Sequence, residues 1–90
     1  MRTIRWNKQF EADLIRIFPG TSEKNKDDFI KCAEDILSVE PEYGVRIEDT
    51  PIWFLPLSHP FRETSLNIYY MFDDNQVEFL SVALIPLEPY

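Results

Sequence analysis

The sequence predicts an α+β domain: a helical hairpin packed on an antiparallel β-meander sheet, in the order β-α-α-β-β-β, with residues 1–90 forming one unit. Three observations predict it. The N-terminal part carries two apolar stripes at helical spacing. The C-terminal part carries two β-rich runs around a short polar break. The helices come together and precede the strand meander instead of alternating with its strands, which separates α+β chains from α/β ones.

The most legible element is Asn67 to Ile85, NIYYMFDDNQVEFLSVALI. Its first run is rich in Ile, Tyr and Phe and its second in Val, Phe and Leu, residues that suit a pleated, buried surface. Between them, Asp73-Asp74-Asn75-Gln76 offers residues that tolerate the positive φ of a tight hairpin turn. Alternation assigns Leu66, Ile68, Tyr70 and Phe72 to one face, and Asn67, Tyr69 and Met71 to the other. In the second strand it sets Leu80, Val82 and Leu84 against Val77, Phe79, Ala83 and Ile85. Both faces are largely apolar, so both are expected to be covered at least in part.

Upstream, Ile4 and Trp6 alternate with Arg5, the pattern of a half-buried edge strand. Asn7 is an N-cap residue for a first helix whose stripe is Phe10, Leu14, Ile17 and Phe18, with Lys8, Glu11, Asp13 and Arg16 on the remainder. Pro19-Gly20 ends it. Thr21, Ser22 or Asn25 caps a second helix, and Asp27-Asp28 suits its positive end. Its stripe reads Phe29, Cys32, Ala33, Ile36 and Leu37, and Pro41 stops it. The short link implies an antiparallel pair. Glu42 to Pro51 is a connector with a short strand at Val45–Ile47. Ile52 to Leu57 is a strand that Pro56 confines to an edge. Residues 58–64 form a loop and 86–90 an extended tail.

Ninety residues build one core. One cysteine excludes an internal disulfide and any Cys-based zinc cluster, and fits a reducing compartment. No apolar run approaches the roughly 20 residues of a membrane span. The opening MRTIRWNKQF lacks the apolar centre of a signal peptide, so a cytoplasmic protein is expected. The net charge is −7 and unevenly spread: residues 27–90 hold thirteen acidic side chains against Lys31, Arg46 and Arg62 alone. Such a surface repels phosphate backbones, which disfavours nucleic acid and the ribosome as partners. It leaves a small basic patch near the N-terminus, or a basic protein partner.

Three stretches share an order and spacing with a known group. They are IRWNKQFEADLIRI with Phe10 and Asp13-Leu14, VEPEYGVRIEDTPIWFLPL with Glu40-Pro41 and Gly44, and IYYMFDDNQVEFLSVAL with Tyr70-Met71-Phe72-Asp73-Asp74. In these the chain resembles the RelE/ParE toxin superfamily. The resemblance implies a toxin of a toxin–antitoxin pair, with an antitoxin partner wrapped around the helices and sheet. RelE-like members cut messenger RNA in the ribosomal A site, and ParE-like members poison DNA gyrase. The chain departs from the nuclease pattern: Asn67 stands where that group usually has an arginine, and Leu84 and Ile85 where it often has His and Arg. Arg62 is the only cation in residues 51–90. RNA cleavage without a metal needs cations for the developing phosphorane charge and a group to move the 2′-hydroxyl proton. The expectation is therefore a protein-binding function, with two alternatives: a metal-independent messenger RNA endoribonuclease with a divergent site, and a homodimeric structural module.

His59, Arg62 and Tyr90 are the one conceivable catalytic set, as base, phosphate clamp and neighbour. The blander reading, an exposed loop histidine and a surface arginine, is the expected one. Cys32 reads as a buried structural thiol, and Asp73-Asp74 with Asn75, like Glu48-Asp49, as turn chemistry and not a cation site. Trp6, Trp53 and Phe61 read as core or partner contacts, since no cations interleave with them as base-stacking sites require. No cofactor or metal is expected: one His and one Cys give no ligand set, and Gly20 and Gly44 stand alone.

Overall fold

The computed structural model describes residues 1–18, 23–58 and 64–86. Its elements are β1 (Thr3–Trp6), α1 (Lys8–Ile17), α2 (Glu23–Val39), a 3₁₀ turn (Pro41–Tyr43), β2 (Val45–Arg46), β3 (Trp53–Ser58), β4 (Thr64–Phe72) and β5 (Gln76–Pro86). The strands form one sheet in the order β1-β5-β4-β3-β2. The β2–β5 meander is antiparallel as expected, and β1 adds to its far edge in parallel, so the complete sheet is mixed. No described helix is long and apolar enough to cross a membrane.

Asn7 caps α1 as its position suggests, its side chain accepting from the Phe10 N–H at 2.9 Å. The stripe Phe10, Leu14, Ile17 and Phe18 is buried against the sheet. α1 runs along β5, with Asn7 bonded to Phe79 and Asp13 to Val82. α2 ends beside the start of β1, where the Arg2 N–H donates to the Ser38 carbonyl, so the helices are antiparallel. Both lie on one face. Among the described residues the other face of the sheet carries no helix, so the expected cover on both sides is realised on one.

Three readings are corrected. On α2 the buried apolar residues are Phe29, Ile30, Ala33 and Leu37, and Cys32 is exposed. At about 100° per residue, Cys32 sits roughly 100° from Ala33 at the centre of the stripe, whereas Ile30 sits only about 60° away. A thiol reagent should therefore modify Cys32 in the native protein at close to the rate of the unfolded chain. Protection to the level of a core residue would contradict this placement. In β5, Val77, Phe79 and Val82 are all buried, although alternation puts the first two opposite the third. Tyr70 pairs with Phe79 and Tyr69 with Ser81, which leaves Leu80 as a bulge; one extra residue flips every later side chain to the other face. Finally, the hairpin turn needs no positive φ. Asp49 is the only described non-glycine residue with one, at 64°. The turn is closed by the Asp73 carboxylate, which accepts from the Asn75 and Gln76 N–H groups at 2.8 and 2.9 Å.

The two prolines inside strands sit where a missing N–H costs little. Pro56 lies beyond Phe54, the last residue of β3 covered by β2. Pro86 has the parity of Val82, whose N–H points away from β4.

Candidate functional site

Two internal pins hold the sheet to what surrounds it, and both are built from residues that carry the family resemblance. Tyr70 is fully buried; its hydroxyl donates to the Pro41 carbonyl and accepts from the Gly44 N–H at 3.2 Å. Burial pushes its pKa up to about 12 against the opposing Gly44 hydrogen bond, so the hydroxyl remains a donor. A Cβ on residue 44 would collide with Tyr70 Oη and the Phe54 carbonyl, so only glycine lets the connector pass this close. The second pin is Asp13, expected among the exposed charges of α1 but 5 % exposed. It accepts from Val82 N at 3.1 Å, Gln9 Nε2 at 2.8 Å and Arg16 at 3.1 Å. Burial alone would raise its pKa, but these hydrogen bonds outweigh it and hold the carboxyl below its ordinary value. Its backbone contact satisfies an N–H on the stretch of β5 that β1 no longer covers. No apolar period reveals this; the only sequence signal was the Asp13-Leu14 pair of the resemblance.

His59, Arg62 and Phe61 lie in residues 59–63, and Tyr90 lies in 87–90, outside the described residues. Trp6 and Trp53 form no common patch: Trp6 meets Phe10 at 5.3 Å and Trp53 meets Phe72 at 5.4 Å, on strands separated by β5 and β4. Asn67 lies on the helix-free face, opposite Pro56 and Ala83. Its neighbours there are Tyr69 and Met71, with Phe54 against Tyr69 at 6.0 Å. Among the described residues of β3–β5, Glu78 is the only formal charge on that face. Among the described residues, no three His, Cys, Asp or Glu side chains converge as a metal site.

Three surfaces remain as candidate partner sites. The apolar stripes of both helices are buried, so the expected helical surface reduces to a groove between α1 and α2. It has a volume of about 360 Å³, and Trp6, Leu14, Ile15 and Ile30 supply its apolar lining. Ile15 is 70 % exposed. The expected edge at Ile52–Leu57 is half closed, because β2 covers Trp53 and Phe54 and Ile47 bonds to Ile52. Its open part is Leu55–Ser58. The third surface is one end of the sheet, where the β2–β3 and β4–β5 turns meet the end of α2.

No protein-family model matches the sequence, and no curated protein matches it by sequence. Solved structures match it by shape. A chain from the structure described as the chromosomal ParDE TA (toxin–antitoxin) system from P. aeruginosa superposes with a TM-score of 0.61 and 15 % identity, covering 98 % of both chains. The conserved hypothetical protein HP0894 from Helicobacter pylori superposes with a TM-score of 0.55 and 12 % identity, covering 93 % of this chain and 94 % of that one. Over nearly its whole length, then, the chain has the RelE/ParE-like fold, with its helical pair on one face of a five-stranded sheet.

Proposed function

We propose that this chain is a toxin-like protein of a bacterial toxin–antitoxin type system, acting in the cytoplasm by binding protein and not by cutting RNA. The observation that carries the reading is the helix-free face. On a fold shared with a chain of a ParDE system, the described part of β3–β5 offers a phosphate no cation and one carboxylate, Glu78. Arg5 of β1 stands beside Glu78 at the edge of this face, so a phosphoryl transition state over β3–β5 would find no cation on those strands to stabilise it. An antitoxin-like partner fits the α1–α2 groove by helix docking or the Leu55–Ser58 edge by strand addition.

The test is tightly induced expression in a bacterial host, with messenger RNA cleavage read in the same culture. Growth arrest without A-site cleavage is the expected result. Arrest with cleavage would overturn the reading. It would promote the endoribonuclease alternative with His59, Arg62 and Tyr90 as its residues. In that event Arg62→Ala and His59→Ala should each abolish cleavage.

A further inference from the structure

We propose that an apolar strip on the helix-free face, running out into the acidic end of the sheet, docks a basic amphipathic segment of a partner protein. The inference goes beyond the reading above, because it concerns a surface other than the groove and edge given to the antitoxin-like partner and holds whether or not the chain is toxic. Phe54 and Tyr69 are in ring contact, Met71 follows Tyr69 on the same face of β4, and Val45 pairs beside Phe54 and is 52 % exposed. At Met71 the strip opens into a groove of about 230 Å³, lined by Pro51, Met71, Phe72, Asp73, Gln76 and Glu78. That is below the about 300–1,000 Å³ of small-molecule pockets, and suits one long side chain of a bound peptide.

Charge defines the occupant. Glu48 and Asp49 sit on the turn beside Pro51, and Asp73, Asp74 and Glu78 sit on or beside the hairpin turn. Glu40 and Glu42 follow the C-terminus of α2, which has no basic residue in its last turn and points its negative dipole end the same way. The cations at this end are fewer than the carboxylates: Arg2 bonds to the Asp73 carbonyl at 2.7 Å and lies over the Phe72 ring at 5.7 Å, Arg46 bonds to the Thr50 carbonyl at 3.0 Å, and Arg5 is the cross-strand neighbour of Glu78. These carboxylates do not converge as a metal site. They form a dispersed negative field beside an apolar floor, complementary to a segment with apolar residues on one side and Lys or Arg at one end.

The probe is a fluorescently labelled peptide with two leucines followed by three lysines, titrated against the full chain by anisotropy. Glu48→Gln, Asp74→Asn and Glu78→Gln together should weaken binding about ten-fold, and so should Met71→Lys alone. Asp73 stays intact because it closes the turn. Asp28→Asn, Glu34→Gln and Asp35→Asn on α2 remove the same charge elsewhere and should change affinity less than about two-fold. Circular dichroism checks that each variant is folded. Equal weakening by both triple variants would reduce the effect to net charge and overturn the proposal. So would no binding by the unmodified chain, or binding insensitive to Met71→Lys. None of these results bears on growth arrest, so the two readings fail separately.

Discussion

Asp13→Ala is expected to lower the unfolding free energy by about 2–4 kcal/mol in urea denaturation. The carboxylate is 5 % exposed and accepts three hydrogen bonds. The Arg16 bond contributes little, because that side chain is 66 % exposed and screened by water. The contact that matters is with Val82, whose N–H has no neighbouring strand and is orphaned in a buried position when the carboxylate goes. The better helix propensity of Ala offsets at most about 0.7 kcal/mol of this. Asp13→Asn retains an acceptor for Val82 and should cost about 1 kcal/mol. A loss below about 0.5 kcal/mol for Asp13→Ala would mean that water reaches the Val82 amide.

The same residue sets a pH dependence. Its folded pKa lies below the unfolded value, so its stabilisation is fully present above about pH 4 and is lost as pH falls through the folded pKa. Unfolding free energies of the unmodified chain and Asp13→Asn should therefore converge as pH drops below about 4. A gap that stays constant down to pH 2 would show that the charge on Asp13 contributes nothing.

What the sequence made legible follows from what is local. The α1 stripe, the Asn7 cap and the two central strands rest on spacing and turn composition within a few residues, and all are found in place. Cys32 was misplaced because a stripe of small and large apolar residues does not fix its own centre; the packing of α2 beside α1 buries Ile30 instead. The Leu80 bulge is an irregularity in pairing between two strands, and an alternation count within one strand does not register it. Asp13 was invisible for a third reason: its partner is a backbone amide sixty-nine positions away, and backbone groups leave no mark in side-chain composition. The candidate catalytic residues fall outside the described residues, and the acidic end became a surface only once folding gathered Glu40, Glu48, Asp74 and Glu78 from three separate stretches.

Gly44→Ala is expected to destabilise by about 2–4 kcal/mol, and Tyr70→Phe by about 1–3 kcal/mol. The two act on one contact. Removing the Tyr70 hydroxyl leaves the Pro41 carbonyl and the Gly44 N–H without a partner inside the protein, and that desolvation penalty is the cost. Adding a methyl at residue 44 drives into the same oxygen and into the Phe54 carbonyl, so β3 and the connector must separate. Deleting the oxygen relieves only the first collision. The double variant should therefore lose less than the sum of the single losses by about 0.5–1 kcal/mol, and still more than Tyr70→Phe alone. Full additivity would mean that the connector moves away from Tyr70 before the methyl meets it. Alkaline titration gives an independent check. The folded pKa of Tyr70 is raised to about 12, so the stability it supplies is complete below about pH 10 and is lost as pH rises through about 12. One of the four tyrosines should accordingly ionise only as the protein unfolds, and in Tyr70→Phe that late phase should vanish from the absorbance titration.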